Sequence, residues 1–250
     1  MEVNQYGLFQ LSVDDFSLVI KAPYFFYPMI QSSLLGWETS EHSVAPTKDT
    51  LDVYIHYDGT HFFTDALIYE KPIRRLDPIH ALNDLFLTLV YFYAKHHTKQ
   101  HLIHCAAYSD GQENILLLGN KKSGKSFLAT QHGLNGGQFI ADDLLLWHPG
   151  RGNFKAIGLP PRLRRPVHTD IMKSTNSDSF LVGHDLAYMK TDSYKGISAG
   201  SIIEFDRVRV FKSPHVSSDV KLHDYAKEIR KRQIRGSLWS IKKESLNLLN

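Results

Sequence analysis

One cysteine in 250 residues, Cys105, leaves no partner for an internal disulfide and excludes the small disulfide-stapled secreted class. The amino-terminal MEVNQYGLFQ lacks the basic and apolar regions of a secretory signal, so the expectation is a cytoplasmic protein. Long apolar runs are missing too. The longest charge-free stretch, APYFFYPMIQSSLLGW from Ala22, carries two prolines and several polar residues and falls short of the ~18 apolar residues of a membrane span. Repeats and low-complexity tracts are absent, which excludes solenoids and extended disordered regions. Charge of one sign is scarce: a formal +3 suits phosphorylated or acidic ligands without implying nucleic acid.

What is present is ordinary globular material, 42% hydrophobic and 22% charged, enough for one large domain or two small ones. Residues 1–76 read as a β-rich part. YGLFQLSV alternates, and Tyr57-Asp58-Gly59-Thr60 has hairpin chemistry between two strand-like runs, as in a small antiparallel layer. Residues 77–250 read as a second part. Asp77-Pro78 supplies an N-cap and a first-turn proline for a largely buried helix of ~15–20 residues. From His101 the pattern is strand, turn at Ser109-Asp110-Gly111, strand, loop and helix, the last closed by Gly136-Gly137. QFIADDLLLWH reads as a strand pair or a strand broken at its acids. IGLPPRLRRPVH reads as a proline-stiffened loop, GSIIEFDRVRVF as strand, and the basic tail from about Asp219 as a helix.

The loop GNKKSGKS, Gly119, Asn120, Lys121, Lys122, Ser123, Gly124, Lys125 and Ser126, has the form GxxxxGK[ST]. In that form, successive backbone N–H groups and a following helix N-terminus point at phosphate oxygens, and glycines permit the tight path. The motif needs a buried strand before it and a helix after it, and ILLLG and SFLATQHGL supply both. Lys125 is expected on the β- and γ-phosphates and Ser126 on Mg²⁺. Asp142 and Asp143 then end an apolar run, where adjacent carboxylates point different ways: one toward metal-bound water, one toward an incoming hydroxyl. A turn opened by aspartates is the plainer alternative.

His104 lies fifteen residues before Gly119, and Ala141-Asp142-Asp143 begins fifteen residues after Ser126. In these three elements the chain resembles the HPr kinase/phosphorylase family and its short relatives, including lasso-peptide-type precursor peptide kinases. The resemblance covers about residues 101–168, with the β-rich part and long helix similar to the short relatives. It implies an α/β (α+β) fold with a phosphate-loop core related to phosphoenolpyruvate carboxykinase, in which ATP phosphorylates a seryl hydroxyl. It assigns Asp142 as general base, Asp143 as a Mg²⁺ ligand and His104 a place near the transferring phosphate. Lys121-Lys122 stands where the family often has small residues. NFKAIGLPPRLRRPVH lacks the acidic metal ligand of the longer enzymes, so the resemblance does not extend to phosphorolysis or to HPr as acceptor.

Arg162 and Arg164 are the arginines expected to meet the transferring phosphoryl group or an acidic substrate; a solvated basic loop is the alternative. The imidazoles of HHTKQHLIH cross from a helix end to a strand, which spoils convergence on zinc, and Cys105 in an apolar run reads as an inert buried thiol. The basic tail with Trp239 reads as an exposed helix face or a substrate-docking element. The function expected is therefore Mg²⁺- and ATP-dependent phosphorylation of a seryl hydroxyl in a peptide or protein. A kinase of a small hydroxylated metabolite and a non-catalytic ATP-binding module stay open, as does homo-oligomerisation.

Overall fold

In the alternating YGLFQLSV every second side chain is buried, and this segment forms β1 (Tyr6–Val13) in a computed structural model that describes residues 5–42, 51–213, 216–220 and 229. It pairs antiparallel with β2 (Phe16–Pro23), which leads through the short helix α1 (Phe26–Gln31) to β3 (Glu38–Glu41) on the outer side of β1. β4 (Val53–Tyr57), β5 (Phe62–Ala66) and β6 (Ile73–Arg75) complete a six-stranded sheet of order β3-β1-β2-β4-β5-β6. The expected hairpin joins β4 to β5. There Gly59 adopts φ +100° and Asp58 accepts from the Thr60 and His61 N–H groups. The sheet is not wholly antiparallel as expected, because β2 and β4 run parallel.

α2 (Pro78–His96) starts as its sequence dictates: the Asp77 carboxylate accepts from the Ile79 N–H, and proline occupies the first helical position. Leu82, Leu85, Leu89 and Tyr93, spaced for one face, are fully buried against the six-stranded sheet. Each such side chain contributes about 1.5–3 kcal/mol.

The remaining strands are β7 (His101–His104), β8 (Ala106–Ser109), β9 (Asn114–Gly119), β10 (Gln138–Ala141), β11 (Leu144–His148), β12 (Asn153–Lys155), β13 (Arg162–Arg164), β14 (Phe180–Val182), β15 (Leu186–Met189), β16 (Ile202–Ile203), β17 (Arg207–Ser213) and β18 (Val216–Val220). They form sheets of order β16-β12-β11-β7, β10-β8-β9-β17-β18 and β13-β15-β14, joined by α3 (Lys125–Leu134) and α4 (Thr169–Lys173). The result is a mixed α+β architecture with several sheets and few helices. Unbroken apolar runs such as ILLL and LLLW arise because strands in the middle layers are buried on both faces. Leu144 and Leu146 face the first core, with the six-stranded sheet and α2. Leu145 and Trp147 face a second core shared with Leu116 and Leu118. Ile115 and Leu117 face a third core with Ala129 of α3.

Two further expectations need correction. IGLPPRLRRPVH is not all loop: Arg162–Arg164 pair with β15, and Leu163 is buried between them because the strand alternates. Asp219 opens no helix, since it pairs with Arg209 across β17 and β18. Val220 ends β18, and the rest of the expected tail helix, with Trp239, lies outside the described residues except Ile229, which is helical and fully buried in the second core. No helix among the described residues is long and apolar enough to cross a membrane.

Candidate functional site

Both polypeptide segments that reach the site change sheets on the way. β7 and β11 pair in one sheet, β8 and β10 in the next, so the chain breaks at Cys105 and again at Asp142-Asp143. The two breaks lie side by side, where the Cys105 N–H donates to the Asp143 carbonyl at 3.0 Å. Asp143 takes a left-handed conformation, φ +71°, to make the corner. His104 pairs with Leu144, which sets its imidazole beside Asp143, Nε2 to Oδ1 3.6 Å.

The glycine-lysine loop leaves the end of β9 next to the parallel strand β17. A side chain at Gly119 would meet Phe211 at 2.8 Å, so only glycine fits that approach. Lys122 and Gly124 take positive φ, +62° and +93°, folding the loop onto the N-terminus of α3. The Lys125 ammonium is buried and donates to the carbonyls of Gly119 at 3.1 Å and Asn120 at 2.9 Å. Backbone N–H groups at a helix start with an ammonium inside the loop make a cradle for an anion.

A cavity of about 350 Å³ opens over this loop. Lys121, Lys122, Ser123, Gly124, Lys125 and Ser126 line it, together with His104, Asp143, Arg162 and Arg164. Gly119 and Asn120 form the base of the loop beneath it. Asp142 opens instead onto an adjoining recess of about 30 Å³, which Asp143 and Arg162 also line. The sequence therefore brought ten of its thirteen candidates to one cavity and an eleventh to the recess beside it. It missed the cavity's apolar end, where Phe127 and His168 lie ring to ring at 4.4 Å above the buried Ile171. It also missed Tyr188 and the α2 residues at the recess, which carry no motif and sit there only through tertiary packing. Arg165, the third arginine of the cluster, instead donates to the Gly183 and His184 carbonyls.

The two aspartates have opposite electrostatics. Burial and repulsion from Asp143 push the Asp142 carboxyl up to about 7, against the opposing pull of the Ser126 hydroxyl and of Arg162. Burial acts on Asp143 the same way, but Arg162 at 2.9 Å, His104 and Lys125 outweigh it and hold Asp143 down at about 2. Asp142 Oδ2 accepts from the Arg162 N–H at 3.1 Å, whereas Oδ1 is buried without a hydrogen-bond partner. One carboxyl near neutrality beside one fixed as an anion is the division of labour of an acid–base pair. Burial keeps the Cys105 thiol protonated, with its pKa well above the ordinary value.

Among the described residues no three His, Cys, Asp or Glu side chains gather as a metal cage. The oxygens of Ser126 and Asp143 still suit Mg²⁺, a hard ion commonly held by one or two protein groups plus phosphate and water. The histidines of HHTKQHLIH disperse, His96 to Asp15 at 3.1 Å and His101 to the Trp147 ring. Comparison with protein-family models, curated proteins and solved structures finds no match.

Proposed function

We propose that this protein is a Mg²⁺-dependent kinase that transfers the γ-phosphoryl group of ATP to a seryl hydroxyl of a peptide or protein, on an HPr kinase/phosphoenolpyruvate carboxykinase-like phosphate-loop core. One observation carries the reading: the loop, His104, Arg162 and the aspartate pair, which the sequence spaces far apart, converge on a single cavity and the recess beside it. A phosphate-binding loop alone would support nothing more than anion binding. A carboxyl held near pH 7 at that loop adds a group matched to taking a hydroxyl proton.

In this reading the loop amides and Lys125 hold the β- and γ-phosphates, and the apolar end with Phe127 and His168 suits the nucleoside. Ser126 and Asp143 would hold Mg²⁺, which would supply positive charge to offset that of the phosphates. Arg162, with His104 beside it, stabilises the charge that spreads over the transferring group. Asp142 takes the acceptor proton as the acceptor oxygen bonds to the γ-phosphorus; the bond from that phosphorus to the bridging oxygen breaks, and ADP leaves with its electrons. Catalysis is then mostly positioning and electrostatics.

The test is transfer from γ-labelled ATP to seryl peptides. Asp142→Asn is expected to bind ATP as the wild type does and to transfer at least ~100-fold less phosphate, the usual worth of a general base. Undiminished turnover by that variant would remove Asp142 from the proton transfer.

A further inference from the structure

We propose that the acceptor hydroxyl enters through the recess on the α2 side of Asp142, and that the residues flanking the acceptor serine are apolar. The inference rests on the kinase reading above. The Arg162–Asp143 ion pair lines both spaces and so marks where they adjoin. The loop with its lysines lines the cavity and not the recess. Asp142 lines the recess, and its Oδ1 is a buried acceptor without a hydrogen-bond partner. An unpaired buried acceptor of this kind is costly, and a donor entering the recess would satisfy it. With the donor phosphate in the cavity and the acceptor hydroxyl entering from the recess, the two meet where the spaces adjoin, and the proton passes to Asp142 as the oxygen attacks.

The recess is small and mainly apolar. At about 30 Å³ it has room for a group the size of a water or a hydroxymethyl, not for a sugar ring. Its walls are Phe86 and Leu87 of α2, Leu159, Pro160 and Tyr188. Tyr188 is held there by donating from its hydroxyl to Asn83 Oδ1 at 2.7 Å. Leu87 and Leu159 are only partly buried, so a bound chain would lay the neighbours of its serine against them. This selects a peptide with aliphatic residues around the acceptor, even though the loop side of the site is cationic.

The experiment compares acetyl-Leu-Ser-Leu-amide, acetyl-Asp-Ser-Asp-amide and acetyl-Lys-Ser-Lys-amide as acceptors from γ-labelled ATP, with ATP affinity measured in parallel. Wild type should favour the leucine peptide. Leu87→Arg, a replacement well tolerated in a helix, should lower turnover of the leucine peptide at least ~10-fold, raise that of the aspartate peptide and leave ATP affinity unchanged. Leu159→Arg, on a loop rather than a helix, should do the same and keeps the test sound if the first variant unfolds. Equal use of the three peptides by wild type, or a preference that neither variant alters, overturns the recess and leaves the kinase standing. ATP bound with no phosphate on any of the three overturns the kinase reading and the recess with it.

Discussion

Replacing Asp142 with asparagine should make the protein more stable, by an amount that depends on pH. The folded-state value of about 7 lies above the ordinary 3.8, so the unfolded chain gives up this proton first. Wild type therefore loses stability as pH rises from about 4, and the loss is complete near pH 7. Each unit of that interval is worth about 1.4 kcal/mol, so between pH 5 and pH 7 the carboxyl costs about 3 kcal/mol. Asparagine keeps an acceptor for the Arg162 N–H, has the shape of the protonated acid and does not titrate. The advantage of the variant over wild type should grow by about 3 kcal/mol from pH 5 to pH 8. In a chain of this size that is roughly 6–12 °C in Tm. Thermal unfolding of both proteins at the two pH values measures it; titrating groups away from the aspartate pair cancel in the difference, and Asp143, held at about 2, stays ionised at both pH values. A Tm difference that is the same at both pH values would mean that Asp142 is ionised normally, and its assignment as a base poised near neutrality would fall.

Lys125→Met keeps the buried stem but withdraws the ammonium from Gly119, Asn120 and any bound phosphate; ATP should bind ~10–100-fold more weakly by calorimetry, as expected for a lost charge-assisted contact. Arg75→Met leaves the fully buried Asp84 carboxylate without its two hydrogen bonds from the guanidinium and should cost about 3–5 kcal/mol in urea unfolding. Adding Asp84→Leu to that variant should recover much of the loss, because two apolar groups then replace a buried pair.

Where the chemistry is local, the sequence was legible. Asp77-Pro78 placed the start of α2, and Asp58-Gly59 and Asp110-Gly111 placed two hairpins. Their side-chain oxygens, N–H partners and positive φ values all come from within a few residues. The loop from Gly119 to Ser126 was legible for the same reason, since its path is fixed by glycine and by the helix that follows. The cavity's other walls were not. Phe127, His168 and Ile171 meet only because α4 packs on α3, and the polar stretch around α4 offers no apolar period to announce it. Arg162–Arg164 read as loop because prolines surround them, yet three residues suffice to pair with β15, and strand alternation then turns both arginines away from the buried Leu163.

The apolar run before Ser109 looked like one strand and proved to be two, and the reason bears on the site. A strand that continued straight through Cys105 would stay in one sheet, and so would its partner through Asp142. The first instead crosses from the four-stranded to the five-stranded sheet and the second crosses back at the same level, which opens a corner between the two sheets. At that corner backbone groups leave the ladder and must pair otherwise; the Cys105 N–H does so with the Asp143 carbonyl. Asp143 accepts a left-handed backbone there, a conformation in which aspartate is among the few tolerated side chains. A glycine would serve the turn better, but it would leave Arg162 and His104 facing no anion. The corner thus accounts for both features of the aspartate pair. It buries Asp142 between layers, where its proton is held, and it turns Asp143 back toward the cations and the loop, where its charge is.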